Sequence, residues 1–147
     1  MMSQKSRKGY TEIILILNSV GHLEVPVEVD GIATQFLLDT GAGNTVIDIG
    51  FANENQMKFN SIEMMGGGVG TSTLGLFHML VSVFKIHTFE ITLFDLYAAD
   101  FLHVKETLAN KGITDPANGV IGADILVKYS ANIDYEKKRL YIKNISH

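Results

Sequence analysis

No cysteine occurs among the 147 residues, so disulfides, thiolate metal sites and cysteine nucleophiles are all excluded. Charge is sparse: 19% of residues carry it, with a formal net of −4. That balance argues against an electrostatic nucleic-acid surface, and no nucleic-acid partner is expected. Long apolar runs are missing from the N-terminal region. Ile13–Leu17 spans only five residues and directly follows Glu12. A secretory core wants roughly 7–15 apolar residues and a membrane span about 20. The run therefore reads as a strand, although Lys5, Arg7 and Lys8 precede it. The expectation is a cytoplasmic chain with no membrane partner, in which the Asn144-Ile145-Ser146 sequon goes unmodified. The histidines, at 22, 78, 87, 103 and 147, lack the close spacing of a metal set, so no metal is expected.

What is present is a globular composition. At 46% apolar content the chain can bury one substantial core, and a single main domain is expected over residues 21–147, with residues 1–20 as an N-terminal arm or strand. Leu23, Val25, Val27 and Val29 alternate with Glu24, Pro26, Glu28 and Asp30, the period of a half-exposed strand. Pro26 cannot donate to a ladder, which predicts a free strand edge there. Asp30-Gly31 signals a hairpin that returns through Ile32–Leu38. A short helix is predicted from Asp48, its cap, to about Met57. Leu74 to Tyr97 is β-rich. Asp100 is then the expected cap of a helix bearing Phe101, Val104 and Leu108 on one face and ending at Lys111-Gly112. The tail from Tyr129 to Lys143 reads as a hairpin turning near Glu136-Lys137-Lys138.

The chemistry concentrates at Asp39-Thr40-Gly41-Ala42. Phe36-Leu37-Leu38 runs into it, and Gly43-Asn44-Thr45-Val46-Ile47-Asp48 leads out through a turn into more strand. A carboxylate between two apolar runs is costly unless something uses or satisfies it. Elsewhere, Gly66-Gly67-Gly68-Val69-Gly70 is glycine-rich, but no lysine follows in the position a P-loop requires, which removes the phosphate-cradle reading. Asp124 is read as a helix cap or an acceptor for nearby amides. No segment repeats, and no second Asp-Thr-Gly or Asp-Ser-Gly exists.

The tetrapeptide with these flanks resembles the active-site loop of retropepsin-like aspartic peptidases. Gly119-Val120-Ile121-Gly122-Ala123-Asp124-Ile125-Leu126 is similar to the apolar-apolar-Gly segment before a short helix in that family. From about Leu23 to Ile142 the chain reads in the family's order. The resemblance implies a mainly β, closed-barrel-like acid peptidase fold with one or two short helices, no cofactor, and a peptide or protein substrate. Asp39 is the implied catalytic residue, with Thr40, Gly41 and Ala42 as scaffold and Ile121 and Gly122 as the structural motif. Gly66, Gly67, Gly68, Val69 and Gly70 would form a substrate-covering flap. Two carboxylates sharing a proton supply both an acid and a base. With one Asp39 per chain, the implied working unit is a homodimer. Gly43 stands where viral members carry an aspartate, and no tyrosine lies near the glycine run. A peptidase fold that dimerises or binds peptides without cutting them is the alternative.

Overall fold

The computed structural model describes residues 8–59, 61–65 and 76–145, the backbone alone for 61–65. Alternation dictates the first large elements. Strand β3 (Leu23–Val29) buries Leu23, Val25, Val27 and Val29 and leaves the residues between them half-exposed. It turns at Asp30 and Gly31, both at positive φ, into β4 (Ile32–Leu38), as the Asp-Gly signal predicts. Chain continuation gives β5 (Val46–Asp48), α1 (Ile49–Glu54) and β6 (Ser61–Met65). An 11-residue pair follows, β7 (Leu76–Ile86) and β8 (Phe89–Ala99). Then come α2 (Leu102–Asn110), β9 (Gly119–Ile121), α3 (Ala123–Lys128), β10 (Asn132–Asp134) and β11 (Arg139–Lys143).

Six strands close on themselves in the order β3-β4-β9-β5-β8-β7, because β7 pairs back onto β3. Two of these pairings, β4 with β9 and β5 with β8, are parallel. Phe36, Phe84, Ile86, Leu96 and Ile121 are fully buried, with Phe36 and Phe84 edge to face at 5.8 Å. The mainly β, closed-barrel fold is the one the family resemblance implies, with three short helices among the described residues rather than one or two.

The N-terminal apolar run is indeed strand, in two pieces. Strand β1 (Tyr10–Ile14) pairs with β11, which also holds β10. At Leu15 the chain crosses over, its amide donating to the Lys138 carbonyl at 2.9 Å. Strand β2 (Ile16–Leu17) then joins β3 at Leu23 and Glu24. Pairing on that side of β3 resumes only at Val27, with β7. Pro26 stands at that break, its carbonyl accepting from the His87 amide at 2.9 Å, and its missing N–H interrupts no ladder.

Helix α1 begins as predicted, with the Asp48 carboxylate accepting from the amides of Gly50 and Phe51. Helix α2 differs by one position. Its N-cap is Phe101, while Asp100 accepts from the Leu102 amide at 2.8 Å from just outside. It ends at Lys111, followed by Gly112 at φ +87°.

Candidate active site

Asp39 follows β4 directly and its own amide donates to the Ile121 carbonyl at 3.0 Å, so the residue is anchored to β9. The side chain is exposed. Its Oδ1 accepts from the Gly41 amide at 3.0 Å, while the Ala42 amide turns back to the Asp39 carbonyl at 3.1 Å. Of the amides in the Gly41-Ala42-Gly43 turn, Gly41 is the one that reaches the carboxylate. A Cβ on Gly41 would sit 3.4 Å from that oxygen, which is ordinary contact. Thr40, beside Asp39, is also exposed.

The distant Gly119–Leu126 segment grips this loop. The Ala123 amide donates to the Ala42 carbonyl at 2.7 Å, and the Asp124 amide donates to the Gly43 carbonyl at 3.1 Å. Gly122 is needed for the approach. A Cβ there would meet the Asn44 carbonyl oxygen at 2.6 Å and that of Ala42 at 2.8 Å, both backbone atoms. Asp124 is committed to holding the loop: it accepts from the Thr45 amide at 3.0 Å, the Thr45 hydroxyl at 2.7 Å and the Ile125 amide at 2.9 Å.

Two supports escaped the sequence reading. Thr45 is fully buried; its hydroxyl donates to Asp124 and accepts from the Gly122 amide at 3.0 Å. Gly119 leaves room for the Phe36 ring, whose carbons lie 2.4–2.6 Å from where a Cβ would be. A Thr two residues past a glycine turn and a Gly opening an apolar segment were the available signals.

A third network ties together the elements that flank the loop. Buried Asp48 receives Lys105 Nζ at 2.6 Å, and the same ammonium reaches Asn118 Oδ1 at 2.6 Å. The Phe101 amide also donates to Asp48, at 3.1 Å. Burial pushes the Asp48 carboxyl upward. The Lys105 hydrogen bond, the Phe101 and Gly50 amides and the Lys105 charge together outweigh it, holding the group below the usual carboxylate range. Asn118 extends the network to Thr34 Oγ1 at 2.9 Å. Helices α1 and α2, the approach to β9 and strand β4 are thereby fastened together.

Asp39 opens onto a cavity of about 550 Å³. Its apolar lining includes Leu37 and Val120, Phe101 at the cap of α2, Val104 and Leu108 within that helix, and Ile113. The half-exposed apolar face of α2 thus borders a cleft rather than the core. Residues 66–70, the expected flap, lie outside the described residues.

A family model described as aspartyl protease matches residues 25–125. The chain belongs to the aspartyl protease family. No curated protein matches it at a significant level. Among solved structures, a retropepsin-like aspartic protease from Rickettsia conorii superposes with a TM-score of 0.61 at 16% identity, over 94% of each chain. The retroviral protease-like domain of Ddi1 from Leishmania major gives 0.55 at 19%, over 84% of this chain and 90% of that one. The EIAV protease, complexed with the inhibitor HBY-793, gives 0.52 at 22%, over 81% and 98%. The fold is therefore retropepsin-like, and family and fold together support a peptidase of the aspartic kind. Among the described residues, no helix is long and apolar enough to cross a membrane.

Proposed function

We propose that the protein is an aspartic endopeptidase whose working site pairs Asp39 from two copies of the chain about a twofold axis. The observation that carries this reading is the exposed Asp39 carboxylate, oriented by the Gly41 amide and opening onto the apolar cavity. One ionised carboxylate can take a proton from water but has none to give the carbonyl oxygen during the attack. A second copy supplies the missing group. Two carboxylates about 3 Å apart share a single proton because like charges at that distance resist joint ionisation.

In the proposed reaction the ionised Asp39 takes a proton from water as its oxygen attacks the peptide carbonyl carbon. The protonated partner gives its proton toward the carbonyl oxygen. Collapse of the tetrahedral species breaks the C–N bond: the newly protonated carboxyl gives its proton to the departing nitrogen, and a hydroxyl on the tetrahedral carbon gives its own to the ionised partner. Thr40 and Gly41 scaffold the loops at the axis, and residues 66–70 cover an extended peptide. The cavity walled by α2 receives one apolar side chain of that peptide. Only carboxylates and water take part, and the setting we assign is the cytoplasm.

The test is a peptide library incubated with the wild type and with Asp39→Asn from acid to neutral pH. Cleavage by the wild type alone is expected, with the variant folded, since Asp39 is exposed and its loop is held by backbone contacts. Full activity in Asp39→Asn overturns the mechanism. Silence from both chains favours a non-cutting peptide-binding module.

A further inference from the structure

Among the described residues, strand β8 is paired along one side only for most of its length. Its partner β7 accompanies it from Phe89 to Ala98, whereas β5 meets its other side only at Tyr97–Ala99. Among the described residues no strand lies against that second side from Phe89 to Leu96. The hairpin joining β7 to β8 has a two-residue loop, His87-Thr88, closed by Ile86 and Phe89. In that arrangement Phe89 and Ile91 direct their backbone groups at β7, so Glu90 and Thr92 direct theirs outward. An open edge of this kind is a template for another extended chain.

The edge borders a groove of about 740 Å³. Across it stand Lys128 and Tyr129 at the end of α3, and Thr11 and Asn144, whose side chains are bonded at 2.6 Å. Phe89 and Tyr129 meet edge to face at 5.0 Å at one end. Asp39 does not line the groove. Carboxylates dominate its charge: Glu90, Asp95 and Asp124 against Lys128 alone, and that lysine lies over the Tyr129 ring at 5.4 Å. The Glu90 and Asp95 side chains are more than half exposed even though Lys85 and His78 approach them.

Leu93 supplies an independent observation. Six non-glycine residues have positive φ among the described residues. Asp30, Gln56, His87, Ser130 and Lys138 lie in turns or just past helix ends. Leu93, at φ 51°, is in the middle of a strand. It is 70% exposed, so its own side chain gains no packing that offsets the steric cost of the left-handed conformation. The kink at Leu93 moves the buried positions from Phe89 and Ile91 to Leu96 and Ala98, and it leaves a large apolar group presented to the groove.

We infer that the free edge of β8 and its acidic groove bind an extended, lysine- or arginine-bearing segment of another protein, added as a strand beside Glu90–Leu96 with Leu93 as its apolar contact. The site is separate from the Asp39 cleft and does not depend on the peptidase reading.

The probe is a capped decapeptide alternating lysine with valine, compared with its glutamate-valine counterpart. Binding is followed by fluorescence anisotropy and by amide NMR shifts of the full chain. The lysine peptide is expected to shift the Glu90 and Thr92 amides and to bind roughly tenfold more tightly than the glutamate peptide. Leu93→Asn and Glu90→Lys should each weaken it by about tenfold. Asparagine tolerates the left-handed region, so Leu93→Asn should keep or raise the unfolding midpoint, which separates lost binding from lost folding. Asp39→Asn should bind the peptide as the wild type does. Equal affinity for both peptides, no binding at millimolar concentration, shifts confined to the Asp39 cleft, or loss of binding in Asp39→Asn would each overturn the proposal. So would a change of oligomeric state in Leu93→Asn, which would make the occupant a second copy of the chain.

Discussion

At the scale of single residues, the loop bearing Asp39 depends on partners with no catalytic chemistry of their own. Thr45 satisfies two groups at once, the Gly122 amide and the Asp124 carboxylate. Replacing it with valine keeps the shape but strands both. Thr45→Val should cost about 1–3 kcal/mol, and Thr45→Ser should recover most of that by restoring the hydroxyl. Urea unfolding of the three chains checks this; equal midpoints for valine and serine would assign the role to volume. Gly122→Ala should be worse for the loop than its size suggests. The added methyl meets backbone carbonyls, and overpacking of that kind costs about 1–3 kcal/mol.

At the scale of elements, Lys105 joins helix α2 to Asp48 at the start of α1, and Asn118 joins both to β9. Asp48 has a lowered pKa in the folded chain, so the unfolded chain binds its proton more tightly. Its contribution is present in full above the unfolded value near 4 and is lost as pH falls through the folded one. Lys105→Met should remove about 3 kcal/mol at pH 7, because it leaves a buried carboxylate without its cation. Without the lysine only the Phe101 and Gly50 amides still oppose burial, so the depression of the Asp48 carboxyl shrinks and with it the stability lost on acidification. Denaturant midpoints between pH 3.5 and 7 check it, and parallel curves for the two chains would refute it. Much of the element map was legible. The period of β3, the Asp30-Gly31 turn and the Asp48 cap are local signals, and the structure realises each. Strands β5 and β9, at three residues, are too short to carry a period, so their parallel pairings were not readable. The Lys105–Asp48–Asn118 network escaped because its members are far apart in sequence, and Asp48 alone already made sense as a cap. Thr45 and Gly119 escaped for the same reason: their neighbours come from segments about eighty residues away.

At the scale of the molecule, the chain carries one Asp-Thr-Gly where the proposed chemistry uses two carboxylates. Activity per chain should therefore fall on dilution, in step with the dimer fraction measured by sedimentation across nanomolar to micromolar concentrations. Constant activity per chain through dissociation would show that one copy suffices. The closed six-strand ring and the retropepsin-like fold fit this plan.

The grip of Gly122–Asp124 on the Asp39 loop also sets a schedule. Thr45 must wait for residues 77 and 79 positions later before its hydroxyl has both partners, and contacts of such span form slowly because the intervening chain must first be drawn together. A growing chain on the ribosome carries Asp39 long before β9 and α3 exist to grip its loop. The fold thus delays the arrangement of its own candidate catalytic loop until the whole barrel, through β9 and α3, has been made.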